Sequence, residues 1–192
     1  MAESSFFSML FRMKYINRWA LMRNSRPESL TEHSMETAIL AHALAVLGIE
    51  RLGKTYSAER AATLGLFHDA HEILTGDMPT PVKYQNPEIE HAFKSLEQSA
   101  NESLLALLPE DLRPVYDPLL REDDAELFPL VKAADKISAL IKCMEERKAG
   151  NREFFQAEES TRKAVARMDL PEADLFLKEF LPGFERTLDE LK

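Results

Sequence analysis

The sequence predicts an all-α fold, a single helical domain over residues 1–192, and three observations carry that prediction. Apolar residues recur at three- and four-residue spacing along most of the chain, and no stretch shows the period of two that a half-buried strand needs. Gly, Pro and Asn-Pro fall between those periodic runs, where helices should stop and start. No internal repeat or low-complexity linker divides the chain, which is long enough to bury a proper core.

In chain order, residues 5–15 put Phe6, Met9, Leu10 and Met13 on one helical face. Arg12, Lys14, Arg18, Arg23 and Arg26 then follow with no acidic residue between Glu3 and Glu28, a local positive excess that includes the only tryptophan, Trp19, beside Arg18. A guanidinium grips phosphate through paired N–H groups, and an indole can wall off a sugar or a base. Ser29 or Thr31 is expected to cap a helix running through Leu47, with His33 facing the interior, His42 outward, and Gly48 as its terminator. A further helix is expected from Ser57 through Glu72. Asn86-Pro87 opens a long helix carrying Ile89, Phe93, Leu96, Ala100, Leu104 and Leu107, with His91 at the surface. Residues 109–121 hold three prolines and predict a short helix and loop, followed by a solvated acidic turn, Glu122-Asp123-Asp124. The helix over 129–149 has Leu130, Val131, Ala134, Ile137 and Ile141 as its stripe, Lys132 and Lys136 opposite, and Asp135 at the margin. Residues 152–168 and 171–191 predict packing or dimerisation helices.

Composition narrows the function. A formal charge of -9 opposes binding of long nucleic acid, which requires a broad basic surface, but leaves a small anion possible. The lone Cys143, inside a helix, excludes an internal disulfide and a thiolate zinc cluster and is expected to be a core residue in a reducing cytosol. The opening residues do not read as a secretory leader, and no run reaches the ~20 apolar residues of a membrane span. A cytoplasmic protein is expected.

The chemistry is concentrated in residues 64–81, LGLFHDAHEILTGDMPTP. At ~100° per residue, His68, Asp69 and Glu72 share about a third of a helix circumference, with His71 beyond its edge. Two carboxylates ~4 Å apart repel by ~4 kcal/mol at an effective dielectric near 20. Leu64, Leu66, Phe67, Ile73 and Leu74 are expected to offer them no solvation, so a cation would relieve the repulsion. Gly76, Pro79 and Pro81 then force a stiff loop that carries Asp77 and Thr80.

His33, the His68-Asp69 doublet and a distant Asp135 resemble the H…HD…D arrangement of the HD-domain metal-dependent phosphohydrolases. More closely, INRWALMRN, TEHS, HDAHEILTGDMPTPVKY and KAADK resemble the bacterial 5'-deoxynucleotidases of the YfbR-like family, over most of the chain. Thr31 stands where a serine is usual, and His71 lies outside the family's ligand pattern. The resemblance implies an HD-domain helical bundle, usually a homodimer, with His33, His68, Asp69 and Asp135 holding one divalent cation. Imidazole with carboxylate suits Co, Mn, Fe, Ni or Zn better than Mg. It further implies Glu72 as the residue that holds or deprotonates water, Arg18 as the phosphate anchor, and Asp77 beside the sugar or leaving oxygen. Met78, Pro79 and Thr80 would line the pocket. His33, Asp69 and Asp135 would also border the substrate, and Trp19 would exclude a ribose 2'-hydroxyl, so that deoxyribonucleoside 5'-monophosphates are the expected substrates. Two rivals share these ligands: an HD-type hydrolase of triphosphates or alarmones, and a regulator that binds metal and nucleotide without turnover.

Overall fold

A computed structural model describes residues 3–121 and 123–191, and among them the regular structure is helical apart from an isolated antiparallel bridge between Asn17 and Ser29. The ten α-helices are α1 (Phe6–Leu10), α2 (Leu30–Leu52), α3 (Ala58–Phe67), α4 (Glu72–Thr75), α5 (Thr80–Lys83), α6 (Pro87–Ala106), α7 (Arg113–Leu120), α8 (Phe128–Lys148), α9 (Phe155–Ala166) and α10 (Pro171–Glu179). No helix among the described residues is long and apolar enough to cross a membrane. Two compact units result, one of residues up to 23, 27–34 and 67–123, the other of 24–26, 35–66 and 124 onward.

The first unit is built on the apolar face of α6. Phe6, Ala70, Leu104, Leu105, Leu108 and Leu120 form its buried core, with Met9, Leu10, Phe67 and Tyr116 packed at its edge. Tyr116 meets Phe6 and Phe67 edge-on at centroid separations of 5.2 and 5.9 Å, the arrangement favoured by ring quadrupoles. Asn86 caps α6 by accepting the Ile89 N–H at 2.9 Å. The expected stripe holds except at Leu96, which is largely exposed. Asn101, buried on the same helix, donates to the Leu120 carbonyl at 2.7 Å and so ties α6 to the end of α7.

In the second unit α8 is the central helix and packs on α9. Leu130, Ala134, Ile137, Leu140 and Cys143 are fully buried along it, which confirms both the stripe and the core role of the cysteine. Just before α8 the carboxylate of Asp124 accepts the Leu127 N–H at 3.0 Å, so that residue is partly buried in the turn that leads into the helix; Asp123 is exposed, and Glu122 lies outside the described residues.

Two helix ends, those of α2 and α3, differ from expectation, while the expected Ser29 cap is present. Helix α2 continues past Gly48 to Leu52, and Gly53, at φ 68°, ends it. Gly48 instead serves packing: a Cβ there would lie 2.6 Å from the Tyr56 ring. At the other end, Ser29 and Glu32 make a reciprocal capping box, with Glu32 accepting the Ser29 N–H at 2.8 Å. Helix α3 stops at Phe67, and a turn over 68–71 separates it from α4.

Candidate active site

The turn at 68–71 governs the site. Ala70, Glu72, Ile73 and Leu74 each donate to the carbonyl three residues back, so the chain is tighter than an α-helix where a continuous one was expected. The wheel for residues 57–75 therefore does not hold. Leu66 and Leu74 are about half exposed, whereas Leu64 is buried. His71 moves inward and is buried, with Asp69, His71 and Glu72 each offering an atom within 4.8 Å of the others. Its Nε2 lies 3.5 Å from the Glu97 carboxylate, which also holds Lys83 of α5. His71 is thus joined to structural charge, a role the spacing did not suggest.

His33, in the second turn of α2, is fully buried, as expected. Its Nε2 stands 3.6 Å from Asp69 Oδ2, and His68 Nε2 stands 3.0 Å from the same oxygen, with the two imidazole centroids 5.3 Å apart. Atoms bound to one transition-metal ion at ~2.0–2.2 Å lie about 3 Å or a little more from each other, so both imidazole–carboxylate separations, and the donor types, suit a shared divalent cation. Asp135 belongs to the second unit, half-buried on α8 beside Ala134. His42 and His91 are exposed, as expected.

The electrostatics separate the two carboxyls of the turn. Burial raises Asp69, but His68, His33 and Arg18 outweigh it and hold its carboxyl well below the ordinary range. Glu72 goes the other way: burial, reinforced by the Asp69 and Asp77 anions and only partly opposed by Arg18 and His68, pushes it up to about 9. Its Oε2 is buried without a hydrogen-bond partner among the described residues. One acid is a fixed anion and the other carries a proton, which is the division of roles that acid-base chemistry requires.

Around this pair the basic segment sorts itself. Arg12, Lys14, Arg23 and Arg26 are exposed, while Arg18 turns inward. Backbone bonds from Arg18 N–H to the Glu28 carbonyl at 3.0 Å and from Leu30 N–H to the Ile16 carbonyl at 2.9 Å clasp its strand-like segment to the entry of α2. Trp19 has φ 60°, a left-handed conformation unusual for an aromatic residue. Its N–H donates to Asp77 at 3.2 Å, and its indole N–H donates to Glu28 at 2.7 Å. Asp77, Met78 and Pro79 are half-buried, whereas Thr80 is exposed and begins α5. Glu28 was missed by sequence reasoning, because a glutamate before a helix reads as an ordinary solvated charge.

The matches with known proteins agree with this architecture. A family profile described as 5'-deoxynucleotidase YfbR-like matches residues 5–184. A curated 5'-deoxynucleotidase of Cronobacter sakazakii is 45% identical over 193 residues, covering 100% of this chain and 97% of the relative. One from Yersinia pestis is 45% identical over 190 residues, covering 98% and 96%. The crystal structure of an HD-domain phosphohydrolase from Listeria innocua superposes with TM-score 0.82 at 24% identity, over 94% of this chain and 88% of that one. The HD phosphohydrolase DatZ of cyanophage S-2L, bound to dA and one catalytic Zn2+ ion, superposes with TM-score 0.68 at 20% identity, over 97% and 99%.

Proposed function

The chain belongs to the YfbR-like 5'-deoxynucleotidases, and from that premise we propose that it is a metal-dependent phosphomonoesterase. It would convert deoxyribonucleoside 5'-monophosphates to deoxyribonucleoside and phosphate and discriminate against ribonucleotides. The observation that carries the reading is the convergence of His33, His68 and Asp69 beside the buried carboxyl of Glu72, one oxygen of which has no hydrogen-bond partner among the described residues. Asp135 completes the ligand set in this reading. Cobalt or manganese, or a similar transition cation, suits two imidazoles with carboxylates.

A divalent cation held by these residues would polarise a phosphoryl oxygen and bring the pKa of water toward neutrality. Arg18 binds and orients the phosphate through its guanidinium, at a position already facing the anionic side chains of the turn. Burial, reinforced by Asp69 and Asp77, pushes Glu72 up, and its carboxylate, once ionised, is placed to take a proton from the attacking water. Water adds to phosphorus and gives up one proton to Glu72, the phosphorus–O5' bond breaks, and the 5'-oxygen takes up one proton as the nucleoside leaves, so the proton count balances. Asp77 contacts the sugar or assists that oxygen, and Met78, Pro79 and Thr80 line the pocket. Trp19 packs against C2' and leaves no room for a hydroxyl.

The family match runs through both compact units, which supports reading the chain as one catalytic domain. A homodimer is part of the same proposal, supported by an apolar groove of about 700 Å³ in the second unit lined by Ile39, Leu40, Phe176, Phe180 and Phe184. A cytoplasmic location is favoured by the buried, reduced Cys143.

The test is phosphate release from dAMP and AMP side by side, with metal-stripped protein resupplied with Co, Mn, Mg or Zn. Release from dAMP alone, and only with a transition metal, is expected. Equal release from both discards the sugar discrimination, and no release with any metal contradicts the enzymatic reading.

A further inference from the structure

The Glu28 carboxylate is buried, with 6% of the residue exposed, at the point where three side chains of the site meet. Its Oε2 accepts the Trp19 indole N–H at 2.7 Å. Its Oε1 stands 3.8 Å from Arg18 Nη1 and 3.8 Å from His33 Nδ1. The last two separations are too long for hydrogen bonds, and the contact with the Arg18 guanidinium acts through charge. Its carbonyl is fixed independently by the Arg18 N–H, so the carboxylate springs from an anchored backbone.

An indole has one polar atom with which its plane can be set, the Nε1–H, and here that atom is spent on Glu28. The Trp19 backbone is held from the other side by Asp77. Between them the main chain and the ring edge are both constrained, so the face that the ring offers to a sugar is determined. We propose that Glu28 is a positioning residue for sugar selectivity: it fixes the Trp19 indole that excludes the ribose 2'-hydroxyl, while its negative charge steadies the Arg18 guanidinium. The inference rests on the reading of Trp19 as the sugar-facing residue and adds to it the residue that makes the indole rigid. Pre-organised packing of this kind discriminates because the ring cannot swing aside for the larger sugar.

Two conservative variants separate the two jobs. Glu28→Asp keeps the charge but withdraws it by about one carbon–carbon bond, ~1.5 Å, beyond reach of the indole N–H. Glu28→Gln keeps the reach, since its amide oxygen can accept that N–H, but loses the charge. The measurement is kcat/KM for dAMP divided by that for AMP in metal-loaded parent and variants, alongside acrylamide quenching of Trp19 emission in metal-free protein. E28D is expected to lower the ratio about tenfold and to make the indole more quenchable. E28Q is expected to keep both the parent ratio and the parent quenching while losing rate with both nucleotides. A merely structural role would lower both rates together and leave the ratio unmoved. A parent that discriminates while E28D does so equally, or an E28Q that loses selectivity, overturns the role of Glu28. A parent ratio near one contradicts the sugar-selective reading itself, and the proposal with it.

Discussion

Glu72 and Glu146 are both buried glutamates, one in each compact unit, and their environments drive them in opposite directions. Glu146 on α8 accepts from Lys142, from the Asn151 amide at 2.8 Å, and from the backbone N–H groups of Ser25 at 2.8 Å and Arg26 at 3.3 Å. Despite its burial, those donors pull its carboxyl down to about 2. Lys142 also donates to the Arg26 carbonyl at 2.6 Å, so the pair pins residues 24–26 to α8. Burial, reinforced by the Asp69 and Asp77 carboxylates, pushes Glu72 up to about 9, with no donor on its Oε2 among the described residues. A buried acid saturated with donors is structural, whereas one left among like charges is held ready for a proton or a cation.

Breaking the comparison begins with the largest effect. Glu72→Ala should reduce phosphate release from dAMP by about 10²–10⁴-fold at unchanged metal content, measured by elemental analysis of the purified protein; a variant that loses metal in parallel would make Glu72 a ligand. That result also bears on the non-catalytic alternative, since a binding module has no use for a proton acceptor there. Glu146→Ala should cost ~3–5 kcal/mol of stability in denaturant unfolding, because Lys142 is left buried without its carboxylate, while turnover per folded molecule stays near that of the parent. Arg18→Ala should lower kcat/KM for dAMP by about 10–100-fold per folded molecule, with a fall in melting temperature as well, because the buried Glu28 loses the guanidinium beside it.

The pH response sharpens the contrast further. Glu146 has a depressed pKa, so its stabilising contribution is present above the ordinary carboxyl value of 4.5 and is lost as pH falls toward about 2. Glu72 has a raised one: the unfolded chain ionises above 4.5 while the folded chain keeps its proton to about 9, so stability falls as pH rises through that window. In chelator, the melting temperature should therefore drop on both sides. Glu146→Gln should flatten the acid limb and Glu72→Gln the alkaline one, the latter gaining on the order of 1 kcal/mol or more at pH 8. Equal alkaline slopes for the parent and Glu72→Gln would contradict the charge assignment.

Helices long enough for several periods were legible in the sequence, because burial of a stripe repeats its signal: α8 lies within a residue of expectation at both ends, and α6 starts where Asn86-Pro87 placed it and ends at Ala106, short of the expected Pro109. His33 was legible for the same reason, being in register with buried Leu40 and Leu44. The turn at 68–71 was not. Nothing in HDAH forbids helix, and the break arises from tertiary placement of Ala70 in the first unit's core. A wheel drawn through it put His71 on the wrong side of the site and left Leu66 and Leu74 inside. Gly48 misled because a glycine late in a helix signals an end, whereas here it admits the Tyr56 ring. Glu28 and the left-handed Trp19 could not be read from composition at all, since each is defined by a partner distant in sequence or by backbone angles that no residue type announces.

The most direct measurement is phosphate release from dAMP by Glu72→Gln and Glu146→Gln, each loaded with metal and normalised to folded protein. Both changes replace one carboxylate oxygen with an amide in a buried site, so size and burial are matched. The first variant is predicted to lose at least ~10²-fold and the second to stay within about threefold of the parent, its cost appearing in unfolding alone. Comparable loss in both, or a Glu72→Gln variant that turns over normally, would contradict the division between a reactive and a structural buried acid.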